Sequence, residues 1–275
     1  MTRMDRRALF ASGAAAALLA ASGVSAAAQR GGHLRAALSG ASRSDSFSAP
    51  GGRFMQAAAS AVFEGLTEIA ADGTLRGELA MRWSSDAEAR VWTFALRDSL
   101  FHDDQPITED DLRYSLSGLG HVQKTKEGVS ITLDKPDQNL PYRLAHPEFL
   151  IKPADTARRQ FGSGLYKVHK FDAGRHFIAQ RQDQHWKDGQ AGWFDKIEFV
   201  HFEDPQVRAQ ALSEGLVDVA DVADLDAYSD EADFQRLPDN GNVMQIASRR
   251  IAVPAQIGRA FALDNLRMSE RWWMA

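Results

Sequence analysis

The sequence of 275 residues contains no cysteine. The chain therefore cannot form a disulfide, a thiolate metal site or a cysteine nucleophile, and it has no cysteine to carry a lipid anchor. A dedicated metal site is not expected either, because the 8 histidines are scattered and none belongs to a His-x-x-x-His pair beside a glutamate. We predict no cofactor.

An excess of positive charge is also missing. The sequence has 32 Lys and Arg against 37 Asp and Glu, a formal net charge of -5, and the basic residues form no stripe or patch. Nucleic-acid binding proteins usually carry such a basic surface. We therefore exclude nucleic acid as a partner.

Catalytic motifs are absent from the sequence as well. Ser163 lies between two glycines at 162–164, which does not match the Gly-x-Ser-x-Gly elbow of serine hydrolases. This segment precedes a predicted strand, so we interpret it as a flexible turn rather than a phosphate-binding loop. The adjacent acidic pairs at 103–104 and 110–111 point apart in a turn or helix start, so we predict that the protein is not an enzyme.

The most apolar run lies near the N-terminus and is short. Arg3, Arg6 and Arg7 precede a run of Ala, Leu, Gly and Ser at 8–24, and three alanines follow at 26–28. This order is typical of an export signal, and the paired arginines favour the twin-arginine type over an ordinary Sec signal. A spanning helix needs about 20 strongly apolar residues. We predict a signal at 1–28 and a soluble periplasmic protein without a lipid anchor.

The rest of the chain alternates between strand and helix patterns. An amphipathic helix is predicted from Phe54 to Leu66, and Thr108 with Asp111 forms a capping box for a second helix. Asp204 and Pro205 begin a third helix, which Gly215 ends. Strands are predicted at 31–38, 91–96, 129–133, 165–168, 177–179 and 197–202. The expected fold class is mixed α/β.

Two ordered blocks carry a family resemblance. The first has FEGLTE at 63–68, WTFALR at 92–97 and FHDDQPITEDDL at 101–112. The second has GSGLYK at 162–167, QHW at 184–186, FDKIEF at 194–199, and a helix from Asp204 to EGLVD at 214–218. In order and spacing they resemble the peptide/nickel class, family 5, of the extracytoplasmic solute-binding proteins of ABC importers.

The resemblance implies a periplasmic binding protein-like fold with one main lobe of mixed β-sheet and flanking helices. This lobe is expected to comprise residues 29–221 and 263–275. Only a short remnant, residues 222–262, stands where the family has a second lobe. The resemblance also implies noncovalent binding of a small peptide or similar polar solute and its delivery to an ABC permease in the inner membrane.

An alternative function remains open at this point. A single lobe offers half a cleft, and could act as a protein-interaction or regulatory module without capturing solute, or as a homodimer that restores a closed site. Trp272 and Trp273 would mark an interaction surface or simply pack onto the lobe.

Candidate ligand-binding residues follow from the resemblance and from local chemistry. The loop after the first strand provides hydroxyl, carboxylate and aromatic groups, with a solvated polar loop as the alternative, and Glu64 at the helix end would pair with a ligand amine or a neighbouring arginine. The predicted set is Ser44, Asp45, Ser46, Phe47, Glu64, Gly164 and Tyr166. The aspartates at 218, 221, 224 and 226 lack the pattern of a calcium loop and are interpreted as a solvated connection.

Overall fold

The computed structural model describes residues 31–69, 74–223, 234–237 and 244–248. The predicted export signal, the C-terminal segment 263–275 with its two tryptophans, and most of the predicted remnant lie outside these residues. The elements that are described alternate between strands and helices, so the mixed α/β fold class is confirmed.

A seven-stranded sheet forms the larger part of the molecule. Its strands lie in the order β12-β13-β11-β1-β10-β9-β8. Strand β1 is parallel to β10 and β11, and all other neighbouring pairs are antiparallel. The strands are β1 (His33–Leu38), β8 (Tyr166–Asp172), β9 (His176–Arg181), β10 (Lys196–His201), β11 (Val219–Val222), β12 (Phe234–Leu237) and β13 (Met244–Ser248).

A second sheet of four strands is built from the intervening chain, in the order β4-β5-β7-β6, and a short pair, β2 and β3, lies beside it in sequence. All of these strands pair antiparallel. They are β2 (Thr67–Ile69), β3 (Leu75–Gly77), β4 (Ala80–Ser85), β5 (Val91–Leu96), β6 (Gly120–Lys124) and β7 (Gly128–Leu133).

In the part of the chain that the structure describes, four α-helices flank the sheets. They are α1 (Arg53–Val62), α2 (Glu109–Ser115), α3 (Leu140–Arg143) and α4 (Pro205–Ser213), with 3-10 turns at Pro147–Phe149 and Thr156–Arg158. The predicted capping box of α2 is confirmed, since Thr108 and Asp111 bond each other's backbone N–H groups. Asp204 caps α4, with Pro205 at its first position. No helix among the described residues is long and apolar enough to cross a membrane.

Helix α1 is shorter than predicted. It ends at Val62, and Phe63 is already extended at φ -114 and ψ 156. The carbonyl of Val62 accepts a hydrogen bond from the backbone N–H of Gly164, so another segment of chain occupies the place of the next helical turn. The apolar spacing through Leu66 continues because residues 63–69 are all buried, although they run towards β2.

Strand β1 is buried on both faces, which explains its almost continuous apolar sequence. Leu34, Ala36 and Leu38 pack in the cluster that includes α1, whereas Ala37 packs on the opposite face in the cluster that includes α4. A separate cluster fills the four-stranded sheet and α2. The two sheets therefore have distinct cores, and polar groups lie where the chain passes between them.

The described part of the predicted remnant forms strands of the main sheet. Strand β13 pairs with β11, and β12 pairs with β13 at the edge. Residues 234–237 and 244–248 thus extend the same lobe that begins with β1.

Candidate functional site

The three mutually parallel strands β10, β1 and β11 end at the same edge of the sheet. In open α/β sheets, ligands bind in the crevice outside the carboxyl ends of such strands. The loop that follows β1, residues 39–52, lies at this edge and contains four of the predicted ligand residues. We call residues 39–52 the edge loop.

A buried aspartate holds the start of the edge loop. Asp221 in β11 is 0% exposed, and its Oδ2 accepts hydrogen bonds from the backbone N–H and the hydroxyl of Ser39, both at 2.8 Å. Gln245 of β13 donates to its Oδ1 at 3.1 Å, and Arg53 at the start of α1 lies 3.7 Å from Oδ2. The interpretation of Asp221 as part of a solvated connection is therefore wrong, because this carboxylate joins three elements inside the protein.

The middle of the edge loop is closed by its own hydrogen bonds. The backbone N–H of Ser42 donates to Asp45 Oδ2 at 2.8 Å, and the N–H of Asp45 donates back to the carbonyl of Ser42 at 2.9 Å. The hydroxyls of Ser42 and Ser44 lie 2.9 Å apart. This turn buries Asp45, leaves Arg43 and Ser44 exposed, and leaves Ser46 half-buried.

Phe47 fixes the loop on the sheet. Its ring lies 5.6 Å from that of Phe63, 4.9 Å from that of Phe171 and 6.2 Å from that of Phe177. Phe47 is therefore part of the apolar core. Its side chain supports the loop from beneath and is not presented to solvent.

One aromatic residue at this edge is exposed. Phe202 directly follows β10 and is 39% exposed. The alternation in β10 indicates that its side chain points away from the face that packs on α1. Sequence reasoning identified this alternation but not the exposure, and it also missed Ser39, Arg53 and Asp221 as the base of the loop.

Glu64 lies in a different place, between the two sheets. It is buried, and its Oε1 accepts a hydrogen bond of 2.6 Å from Trp186 Nε1 and lies 3.5 Å from His185 Nε2. Burial by itself would raise the pKa of Glu64, but the His185 bond, the charges of Lys187 and His185, and the Trp186 bond together lower it. Glu64 is thus an internal carboxylate, paired with a histidine and a tryptophan rather than with an arginine.

A buried lysine completes this polar layer. Lys187 is 2% exposed in its side chain, and its Nζ lies 2.7 Å from Glu68 Oε2 and 2.5 Å from Glu78 Oε1. The other oxygen of Glu78 accepts from the backbone N–H of Gly65 at 2.6 Å, and Arg76 pairs with Glu68 at 2.7 Å. We call Glu64, Glu68, Glu78, Trp186 and Lys187 the ionic joint, because Glu68 lies in β2 and Glu78 follows β3, whereas Trp186 and Lys187 follow β9 of the main sheet.

The 162–164 segment is clamped by histidines. The backbone N–H of His102 donates to Gly162 O at 2.7 Å, and the ring Nε2 of His102 lies 2.8 Å from Gly164 O. His185 Nε2 lies 3.1 Å from Ser163 O. Each of the three carbonyls thus has a partner, and the interpretation of this segment as a flexible turn is wrong.

Close packing explains why glycines occupy 162 and 164. A Cβ atom on Gly162 would lie 1.8 Å from the carbonyl oxygen of Val62, and one on Gly164 would lie 2.8 Å from the same atom. The segment therefore seals the end of α1 by direct backbone contact. Two residues later Tyr166 is fully buried, and its hydroxyl donates to the carbonyl of Phe194 at 3.0 Å.

Burial also affects His102. Desolvation lowers its pKa to about 4, with the charge of Lys167 acting in the same direction. His102 is therefore neutral near pH 7, with Nε2 as the donor to Gly164, while Nδ1 has no hydrogen-bond partner among the described residues. A shallow cavity of about 140 Å³ opens beside it, lined by His102, Gln160, Phe161, Lys167 and Val168.

The predicted ligand residues thus divide into two groups. The edge loop holds Ser44 and Ser46, which reach solvent, together with Asp45 and Phe47, which shape the loop. Glu64, Gly164 and Tyr166 lie within the protein, around the ends of α1 and β8, where they make internal hydrogen bonds. In the described part of the chain, no group of three or more His, Asp or Glu side chains is arranged to hold a metal ion.

Comparison with known proteins agrees with this architecture. The model of the bacterial extracellular solute-binding proteins, family 5, matches residues 74–250. A solved periplasmic binding protein from A. tumefaciens R10, AgaA in complex with agropinic acid, superposes with a TM-score of 0.67 at 26% identity over 76% of this chain and 48% of its own.

Two curated relatives match shorter stretches. The probable D,D-dipeptide-binding periplasmic protein DdpA of Escherichia coli is 25% identical over 179 residues, which is 55% of this chain and 35% of DdpA. The HTH-type transcriptional regulator SgrR of Pectobacterium atrosepticum is 32% identical over 125 residues, which is 39% of this chain and 22% of SgrR.

The chain therefore spans about half the length of the solved structure and about a third or less of these curated relatives. The fold is that of periplasmic binding proteins, and coverage of about half of the solved chain fits the absence of a second lobe from the described structure. The family consists of solute-binding proteins rather than enzymes, in agreement with the lack of catalytic motifs. Since the family model matches more than half of the sequence, the chain belongs to the family 5 bacterial extracellular solute-binding proteins.

Proposed function

We propose that this protein binds a small polar solute or short peptide noncovalently in the periplasm and presents it to an ABC permease of the inner membrane. The observation that carries this proposal is the family match over residues 74–250 on a fold that superposes with a solute-bound relative. The curated relative DdpA is named as a probable dipeptide-binding protein, which supports a peptide or peptide-like solute.

The edge loop is the proposed contact surface. It lies where open α/β sheets bind ligands, its hydroxyl groups at Ser44 and Ser46 reach solvent, and the exposed Arg43 adds a cation for a carboxylate. The loop is preorganised by the Ser42–Asp45 turn and by Asp221, so little conformational entropy is lost when it meets a solute. Asp45, Phe47, Glu64, Gly164 and Tyr166 act in this proposal as supports rather than direct contacts.

A calorimetric screen tests the proposal. The full chain would be titrated with dipeptides to pentapeptides, free amino acids and agropinic acid. At least one compound is expected to bind, and the double variant Ser44→Ala with Ser46→Ala is expected to weaken that binding about tenfold, equivalent to roughly 1.4 kcal/mol. Ser117→Ala is the control, because Ser117 is an exposed serine that follows α2, far from the edge loop in sequence. Equal weakening by the control, or no binding by any compound, would argue against the proposal.

A second candidate is a regulatory or protein-interaction module. One of the matched relatives is named as a transcriptional regulator, and the exposed Phe202 gives the sheet edge an apolar group suited to a protein partner. Light scattering distinguishes the candidates when combined with the solute screen. This second function would be favoured if the wild type forms a stable dimer, Phe202→Ser is monomeric, and no compound of the solute screen binds.

A further inference from the structure

The charge of Arg159 acts on Lys152, and the guanidinium of Arg159 contacts the carbonyl of Ala154, two residues after Lys152. Lys152 follows the 3-10 turn at Pro147–Phe149, and Arg159 follows the one at Thr156–Arg158. Among the residues that the structure describes, neither forms an ion pair. This arrangement is unusual for Lys152, which is buried, since buried charges are normally paired, and Arg159 beside it is half-buried.

Lys152 is held in place by its backbone, not by its ammonium group. The residue is only 5% exposed. Its N–H donates to Ser115 Oγ at 2.8 Å, and the same hydroxyl contacts its carbonyl at 3.3 Å. Lys187 is also buried, but its ammonium group forms ion pairs with two glutamates. The ammonium group of Lys152 has no such pair.

Arg159 is oriented by contacts that leave part of its guanidinium free. Its carbon Cζ lies 4.1 Å from the centre of the Tyr114 ring, and Nη2 donates to the carbonyl of Ala154 at 3.0 Å. The Nε atom is buried, and no described residue provides it with a hydrogen-bond acceptor. Tyr114 and Ser115 are consecutive residues of α2, so one helix positions both cations.

The acidic groups around this pair do not neutralise it. Glu148 is exposed and acts on Lys152 without forming an ion pair. Asp111 in α2 is buried, but its two oxygens accept hydrogen bonds from Thr108 and from the N–H of Ala154. Two positive charges therefore remain together in a partly desolvated setting.

We propose that Lys152 and Arg159 form a binding site for a small oxyanion, either a carboxylate or a phosphate, which supplies the missing counter-charge. The ammonium and the free guanidinium N–H provide charge-assisted donors, and such bonds are about twice as strong as neutral ones. The site is separate from the edge loop and does not depend on the proposed solute-binding function.

The protonation of Lys152 gives the site a pH dependence. Desolvation and the charge of Arg159 lower the pKa of Lys152 to about 8, while Glu148 acts in the opposite direction. The lysine therefore remains mostly charged at pH 7 and loses its charge above pH 8. Anion affinity is expected to fall as the pH rises through that value.

Calorimetry with two probes tests the proposal. Sodium phosphate and sodium acetate would be titrated into the full chain at pH 7 and constant ionic strength. The anion that binds shows whether the site takes a phosphate or a carboxylate. Lys152→Met and Arg159→Gln are each expected to weaken binding at least about tenfold. Lys167→Met is the control, because it removes the same charge from an exposed lysine.

The melting temperature of each variant, measured without added oxyanion, shows whether the variant is folded. Lys152→Met is expected to melt at the same temperature as the wild type or higher, since it removes an unpaired charge and keeps the apolar stem. At about 20 mM of either anion, a site with a millimolar dissociation constant would be saturated. If neither phosphate nor acetate gives a heat of binding at that concentration, the proposal is overturned. Undiminished binding in a folded Lys152→Met protein overturns it as well.

Discussion

Lys187 Nζ and Glu78 Oε1 lie 2.5 Å apart in a buried ion pair that links the loop after β9 to the chain entering β4. The same ammonium contacts Glu68, and the neighbouring Trp186 donates to Glu64. These contacts join the parts of the chain that form the two sheets. They also connect the two sequence blocks, since the first block provides Glu64 and Glu68 and the second provides Trp186, which Lys187 directly follows.

Removing the lysine from the ionic joint is expected to destabilise the protein strongly. Lys187→Met leaves Glu68 and Glu78 buried without their shared cation, and breaking a buried pair in this way costs about 3–5 kcal/mol. Urea unfolding followed by circular dichroism measures the change. Lys167→Met, at an exposed position, is the control and is expected to change the free energy of unfolding by less than about 0.5 kcal/mol. Equal urea midpoints for the two variants would contradict the role given to Lys187.

Stability is expected to fall as the pH is lowered from 6.5 towards 4, because of His102. The folded-state pKa of about 4 is below the ordinary value of 6.5, so in this range the unfolded chain binds a proton that the folded protein does not. The full shift corresponds to about 3 kcal/mol as an upper value. Below pH 4 both states are protonated, and this contribution no longer changes.

His102→Gln measures that contribution directly. Glutamine retains a donor for Gly164 and does not titrate, so the loss of stability between pH 6.5 and 4 is expected to be smaller in the variant. His121→Gln replaces an exposed histidine and serves as the control. Parallel pH profiles for wild type and His102→Gln would rule out His102 as the source of the acid sensitivity.

The clamp at 162–164 is expected to reject any side chain at its first position. Gly162→Ala places a methyl group 1.8 Å from the carbonyl oxygen of Val62, so the backbone must move and its hydrogen bond to His102 is disturbed. We expect a loss of about 2–4 kcal/mol, within the range of severe single substitutions. Gly118→Ala is the control, since nothing lies within 4 Å of the added atom. A Gly162→Ala protein as stable as this control would show that the segment is not clamped.

Asp221 is expected to affect both stability and solute binding. Asp221→Asn loses charge-assisted hydrogen bonds to Ser39 and the attraction of Arg53, at a cost of about 1–3 kcal/mol. Because Ser39 begins the edge loop, the variant is also expected to bind the solute found in the screen more weakly. Asp218→Asn is the comparison, as Asp218 pairs with Arg35 before the start of β11. If the two variants bind the solute with equal affinity, Asp221 does not support solute binding through the edge loop.

Local signals in the sequence predicted most of the elements. The capping box at Thr108, the Asp204–Pro205 start of α4 and the hairpin between β8 and β9 all depend on neighbouring residues, and all are confirmed. The predicted end of α1 is four residues too late, because the contact that ends the helix comes from Gly164, about a hundred residues away in sequence. Periodicity cannot detect such a contact.

The candidate site was less predictable for the same reason. Glu64, Tyr166 and Gly164 have the residue types of ligand contacts, yet their partners, Trp186, Phe194 and His102, are brought to them by the tertiary fold. Asp221 carried no sequence signal for its role, since its neighbouring aspartates gave it the pattern of a solvated segment. A buried carboxylate between parallel strands becomes apparent only once β1 and β11 are paired.

Nuclear magnetic resonance mapping of the bound solute tests the central claim most directly. The backbone amide signals of the full chain would be assigned and followed during titration with a compound identified in the screen. We predict that the largest shifts fall on the edge loop, above all at Arg43, Ser44 and Ser46, with smaller shifts at Phe202. Shifts confined to the ionic joint, to the Lys152–Arg159 pair or to the four-stranded sheet would contradict a solute site at the carboxyl ends of β1, β10 and β11.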